Sequence, residues 1–94
     1  MELSERCIAT LEKEGFAYVY EWQDKPGTVY PSHQHQDKVT IFITEGSLEL
    51  VIGGGLHKLR PGDRFDIPPQ TEHSATVGPA GCQYVVGEMV EGDS

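Results

Sequence analysis

The sequence predicts one all-β domain, a small barrel or sandwich preceded by a single short helix. Three observations carry that prediction. Glycine and proline punctuate the chain, in "DKPG" at 24–27, "GGG" at 53–55, "RPGD" at 60–63, "IPPQ" at 67–70 and "GPAG" at 78–81. The runs between these turns are short and rich in Val, Ile, Tyr and Phe, and they alternate with a period of two, as half-buried strands do. Only residues 1–15 depart from that period, with Leu3, Cys7, Ile8 and Leu11 at helical spacing.

In chain order, Ser4 is placed to cap the helix and Gly15 to end it, while Glu5, Arg6, Glu12 and Lys13 face water. Phe16, Tyr18, Tyr20 and Trp22 then alternate with Ala17, Val19 and Glu21, so a strand with one aromatic face is expected. Large aromatics bury well. Core or a dimer contact is therefore the first reading of that face, and a ligand platform the second. Thr28–Tyr30 is a short strand. Val39–Thr44 and Ser47–Ile52 are expected to pair around Glu45-Gly46. "LHKL" at 56–59 and Arg64–Ile67 are further strands, the latter stopped by Pro68-Pro69. His73–Val77 and Cys82–Glu88 lie on either side of "GPAG". The total is about eight or nine short strands. They form one domain, with a helical segment at 1–15, a β-barrel over 16–90 and a frayed tail at 91–94.

A chain of 94 residues leaves much of its surface wet and has a thin stability margin. Pairing into a homodimer is the expected remedy. Fifteen acidic residues against seven basic give a net charge of −8. Nucleic acids and anionic membranes need clustered Lys and Arg, so neither is expected as a partner. The N-terminus lacks the apolar segment of a signal peptide, and no apolar run reaches membrane-spanning length. A cytoplasmic protein is expected. Cys7 and Cys82 form no Cys-x-x-Cys pair and are expected as free thiols; the sequence leaves a disulfide between them open.

The chemistry is concentrated in "PGTVYPSHQHQDKVTIFITEG" at 26–46. At i and i+2 of a strand, His33 and His35 would point to one face, with Cα atoms about 7 Å apart. Two imidazoles so placed can converge on one metal ion. Two solvated loop histidines are the plain alternative. "PGDRFDIPPQTEHSATV" at 61–77 adds His73 at the head of another strand, after a proline-rich corner.

Together these two stretches resemble the cupins, small jelly-roll-like β-barrels with two motifs. Gly27, five residues, His33-Gln34-His35 and the closing Gly46 match the first motif; Gly62, five residues, Pro68 and His73 match the second. Three positions depart from the pattern. The first motif's glutamate, a metal ligand in the family, falls on Val39 or Thr40. The second motif's glycine falls on Gln70 and its asparagine on Val77. The resemblance implies a three-histidine metal site of His33, His35 and His73 for a divalent ion: Fe, Mn, Ni, Cu or Zn. Cupin-like thiol dioxygenases use such a set without a carboxylate. Asp37 has the right parity but belongs to a turn, and Glu72 points away from His73. His57 is a surface or edge histidine.

Alternation from His33 and His35 continues through Val39, Ile41 and Ile43. Beyond Gly46, Leu48, Leu50 and Ile52 could share that face, with His73, Ala75 and Val77 on the opposite wall. Tyr84 and Cys82 share a face on the last strand, and Tyr30 and Phe42 are placed at the rim. Arg60 and Arg64 are read as solvating a turn. An apolar pocket of this kind suits a small, partly apolar ligand. Two functions follow: a dioxygenase-type metalloenzyme, or a non-catalytic small-molecule-binding or sensor cupin. A structural role for the aromatic strand ranks third. No residue stands out as a general base.

Overall fold

A computed structural model describes residues 2–90 of the chain. Helix α1 (Leu3–Lys13) comes first. Its cap is Glu2, two residues earlier than expected: the Glu5 carboxylate accepts the Glu2 N–H at 3.0 Å, which leaves Ser4 inside the first turn. Gly15 ends the helix with φ of 94°. The tail at 91–94 lies outside the described residues.

Six strands follow, fewer than the turn signals suggest: β1 (Tyr18–Asp24), β2 (Val29–His33), β3 (Lys38–Ile52), β4 (Gly55–Leu59), β5 (Arg64–Ile67) and β6 (His73–Met89). Two expected reversals are absent. Gly46 does not turn the chain back, and "GPAG" does not either. β3 and β6 each run unbroken through these points and pair antiparallel along their whole length, from Lys38↔Met89 to Ile52↔His73. The register shifts between Ile43 and Leu48, which is a bulged bend rather than a hairpin. Positive-φ glycine serves both kinds of feature, so sequence alone does not separate them.

The bend folds the long β3–β6 ribbon onto itself. One arm carries β1 beside β6 and β5 beside β3; the other carries β2 beside β6 and β4 beside β3. The resulting two faces form a jelly-roll sandwich. At the crossing, Gly46 (φ 76°) opposes Cys82, and a Cβ at Gly46 would collide with the Gly81 carbonyl oxygen. Between the faces lies the main core, with Ile43, Leu50 and Val77 at 2% exposure or less.

The helix covers the outer side of the β1 arm. Cys7, Leu11, Phe16 and Val85 form a second buried cluster there, with Val19 and Phe42 packed against it. Phe16 therefore leaves the aromatic face predicted for it. It belongs to the helix layer, where a Cβ on Gly87 would approach its ring and Leu11 to 3.0 Å. Burying a side chain of that size contributes roughly 2–3 kcal/mol. Phe42 also faces the helix rather than the pocket rim. Arg64 is not merely a solvated turn residue: its guanidinium grips both Glu14 carboxylate oxygens at 2.7 Å, donates to Asp66 at 2.9 Å and lies over the Phe42 ring. That fork ties the end of α1 to the sheet. Among the described residues, no helix is long and apolar enough to cross a membrane.

Candidate metal centre

His33 and His73 are direct cross-strand partners at the ends of β2 and β6. Partners in an antiparallel pair share a face, so both rings enter the space between the two arms. Tyr30 and His33 both face inward although they are three residues apart. The register shift between them absorbs the extra residue at Pro31-Ser32; a proline lacks the N–H a regular ladder needs. His35 is not on a strand. It sits in the loop between β2 and β3, and that loop is tied to the corner before β6 by a hydrogen bond from the Gln70 N–H to the His35 carbonyl at 2.7 Å.

The three ring centroids lie 4.4–5.1 Å apart. One ligand nitrogen from each histidine falls within 4.8 Å of the others. Backbone carbonyls orient two of the rings. His33 Nδ1 lies 2.7 Å from the Pro31 oxygen, and His73 Nδ1 lies 2.9 Å from the Thr71 oxygen. A carbonyl can only accept, so Nδ1 is the donor in both rings, and in the neutral imidazole Nε2 is left with the lone pair. That is the tautomer a metal ligand requires, set by its outer partner. The donor set of this chain therefore fits a divalent ion. Burial and the neighbouring His73 and His33 charges hold His35 below the ordinary histidine range, so it too favours the neutral, ligating form.

The histidines stand in the wall of a cavity of about 270 Å³. Val39, Ile41, Leu48, Leu50, Ala75 and Tyr84 line it. Ile43 and Val77, expected beside them, belong instead to the closed end of the core near the bend. Val39, not Thr40, is the inward position. Thr40 is buried on the other side of the sheet and donates to Asp66 at 2.9 Å. Asp37, Glu72 and His57 lie outside the histidine group, and His57 rests near the Phe65 ring. Cys82 is buried in the core and, like Cys7, is a free thiol.

The sequence profile of the cupin domain matches residues 20–86. This chain belongs to the cupin family. Among solved structures, the cupin is similar to KdgF from Halomonas sp. at 26% identity, covering 80% of this chain and 70% of that one, with a TM-score of 0.64. It is also similar to the DMSP lyase DddQ from Ruegeria pomeroyi, at 25% identity over 81% of this chain and 39% of that one (TM-score 0.71). The polyketide cyclase RemF from Streptomyces resistomycificus shares 28% identity over 77% of this chain and 54% of that one (TM-score 0.66). The cupin thus spans well under two thirds of the latter two chains. No curated protein sequence matches it significantly.

Several lining residues of this cupin escaped the sequence. Tyr20 and Trp22 face the cavity, so the ligand-side reading of the aromatic strand describes their position better than core does; Trp22 is 50% exposed. Asp24 braces the walls by accepting hydrogen bonds from Trp22 Nε1 at 3.0 Å and from the Tyr30 and Tyr84 hydroxyls at 2.7 Å. Burial and that carboxylate raise both tyrosines, which keeps them protonated donors. Glu88 also lines the cavity. Alternation from Tyr84 through Val86 leads to it, and that parity was the available signal.

Proposed function

We propose that this cupin is a metal-dependent enzyme acting on a small, partly apolar molecule, with His33, His35 and His73 as the ligands of one divalent ion (Fe, Mn, Ni, Cu or Zn). The observation that carries this reading is the convergence of three imidazoles, two of them fixed in the ligating tautomer, in the wall of an apolar cavity. Bound there, the ion supplies a Lewis acid with open positions for a ligand. The chain's own side chains do the rest. Val39, Ile41, Leu48 and Leu50 exclude water and receive the apolar part of the ligand, while Asp24 holds the aromatic walls in place.

Dioxygenase-type chemistry is the first subclass to test, because the ligand set contains no carboxylate. The lyase and the cyclase among the similar structures support a small-molecule substrate. A non-catalytic sensor is the second reading. It is favoured by Val39, which offers an apolar wall where a charged ligand would strengthen metal binding. A cytoplasmic homodimer is part of the proposal; exposed Tyr18 and Trp22 on β1 offer a contact surface.

The test is elemental analysis of untagged protein purified without chelators, beside a His33→Ala/His73→Ala variant. Near-stoichiometric metal in the first and none in the second is the expected result. Absence of metal after reconstitution with each of the five ions overturns the metal reading and leaves a ligand-binding barrel. Metal-dependent oxygen uptake with small thiols then separates the dioxygenase from the sensor.

A further inference from the structure

Among the described residues lining the cavity, Glu88 is the only carboxylate. Its place follows from register. On β6 it lies between Tyr18 of β1 and Val39 of β3, its direct partners on either side. Side chains of such partners share a face, so Glu88 projects beside Val39 into the cavity. His73 stands near one end of β6 and Glu88 near the other. The bend of the ribbon brings both to the same open end.

Glu88 is also held. The Tyr20 hydroxyl donates to its Oε2 at 2.6 Å. Burial, and then this carboxylate, push the Tyr20 phenol up to about 12, so at neutral pH it keeps its proton and donates it to Glu88. Oε1 has no hydrogen-bond partner among the described residues. A fixed carboxylate with one engaged and one open oxygen is the form of a proton acceptor. Nothing else in the cavity competes for that role. The histidines are committed as ligands, and the remaining walls are aliphatic or aromatic.

We propose that Glu88, oriented by Tyr20, is the proton acceptor of this pocket and serves a small weakly acidic ligand, an enol, thiol or hydroxamic acid, bound against the three histidines. The proposal rests on the metal reading above. In the step, the X–H bond of the ligand breaks and its electron pair stays on X. The proton moves to Glu88 Oε1, and Tyr20 keeps its bond to Oε2. Charge balances, because the ligand gains the negative charge the carboxylate loses. No oxidant or reductant is needed. The pocket is thereby equipped for reactions begun by proton removal, as well as for binding such acids as anions. Tyr20 is a positioning residue.

The test uses the full chain loaded with zinc and acetohydroxamic acid as probe. Zinc affinity is first measured by chelator competition for wild type, Glu88→Gln and Tyr20→Phe. Hydroxamate binding is then followed by calorimetry at pH 7 in two buffers of different ionisation enthalpy, which counts protons released. Gln accepts the Tyr20 hydrogen bond as Glu does, so the fold is retained. The expected result is unchanged zinc affinity in Glu88→Gln, with hydroxamate bound roughly 10–100-fold more weakly, the value of one hydrogen bond to a charged group. Wild type and Tyr20→Phe retain the ligand's proton, whereas Glu88→Gln releases about one per hydroxamate bound, since a carboxylate can hold a proton that an amide cannot. Equal affinity and equal proton release in wild type and Glu88→Gln overturn the proposal while leaving the metal reading intact. A loss of zinc affinity confined to Glu88→Gln overturns it by making Glu88 a ligand. Wild type that takes up neither zinc nor any of the other four ions overturns both.

Discussion

At the residue scale, the site depends on where single polar atoms point. The Pro31 and Thr71 carbonyls select the tautomers of His33 and His73. Gln70 adopts φ of 55° at the position where the family motif has glycine, a left-handed conformation that costs a side-chain-bearing residue about 1–2 kcal/mol. Its N–H is repaid with the bond that fixes the His35 loop. His35 itself yields a pH prediction. Burial first, then His73 and His33, lower its folded value from the ordinary 6.5. Below that ordinary value the unfolded chain binds the proton more readily, so stability is lost as pH falls from 6.5 toward the lower folded value. Metal-free protein is expected to resist urea less at pH 5.5 than at pH 7.5, with a narrower gap in His35→Asn; an identical gap in the variant refutes the assignment. The histidine pair at 33 and 35 was legible as a motif because its spacing is local. Glu88 was not, because nothing in sequence says which strand lies beside Val39.

At the element scale, the decisive feature is that β3 and β6 continue through their glycines. Gly46 supplies both a positive φ and the space for the Gly81 carbonyl to approach. Gly46→Ala adds a left-handed penalty of about 1–2 kcal/mol to an overpacking cost of about 1–3 kcal/mol. A loss of roughly 3 kcal/mol in urea denaturation is therefore expected, whereas Gly53→Ala, with no atom within 4 Å of its new Cβ, avoids the overpacking part. Equal losses at the two positions would count against the crossing. Periodicity found nearly every strand segment, because alternation is set by local backbone geometry. It divided β3 and β6 in two because a bulge and a hairpin use the same residue. Phe16 was misplaced for a related reason: it precedes the strand, and the end of the helix directs its ring to the opposite layer.

At the scale of the whole molecule, a bent two-stranded ribbon brings distant residues to one open end and leaves the closed end to the core. On the proposed reading, a metal ion held there would stabilise the fold by linkage. At a free ion concentration one hundred times the dissociation constant, the gain is about 2.7 kcal/mol, or roughly a 10–20 °C rise in melting temperature for a domain of this size. The His33→Ala/His73→Ala protein is expected to melt at one temperature with or without the ion; an equal rise in both proteins would locate binding elsewhere. The sequence by itself determined the all-β class, the leading helix, the two motifs and the three histidines, because each is written in spacings of a few residues. Only the tertiary structure decided that Tyr20 and Trp22 frame the cavity, and that Glu88 stands beside Val39, the inward position where the family carries its glutamate. Those facts depend on register between strands some fifty residues apart, and that register is set by packing across the whole core, which no local pattern encodes.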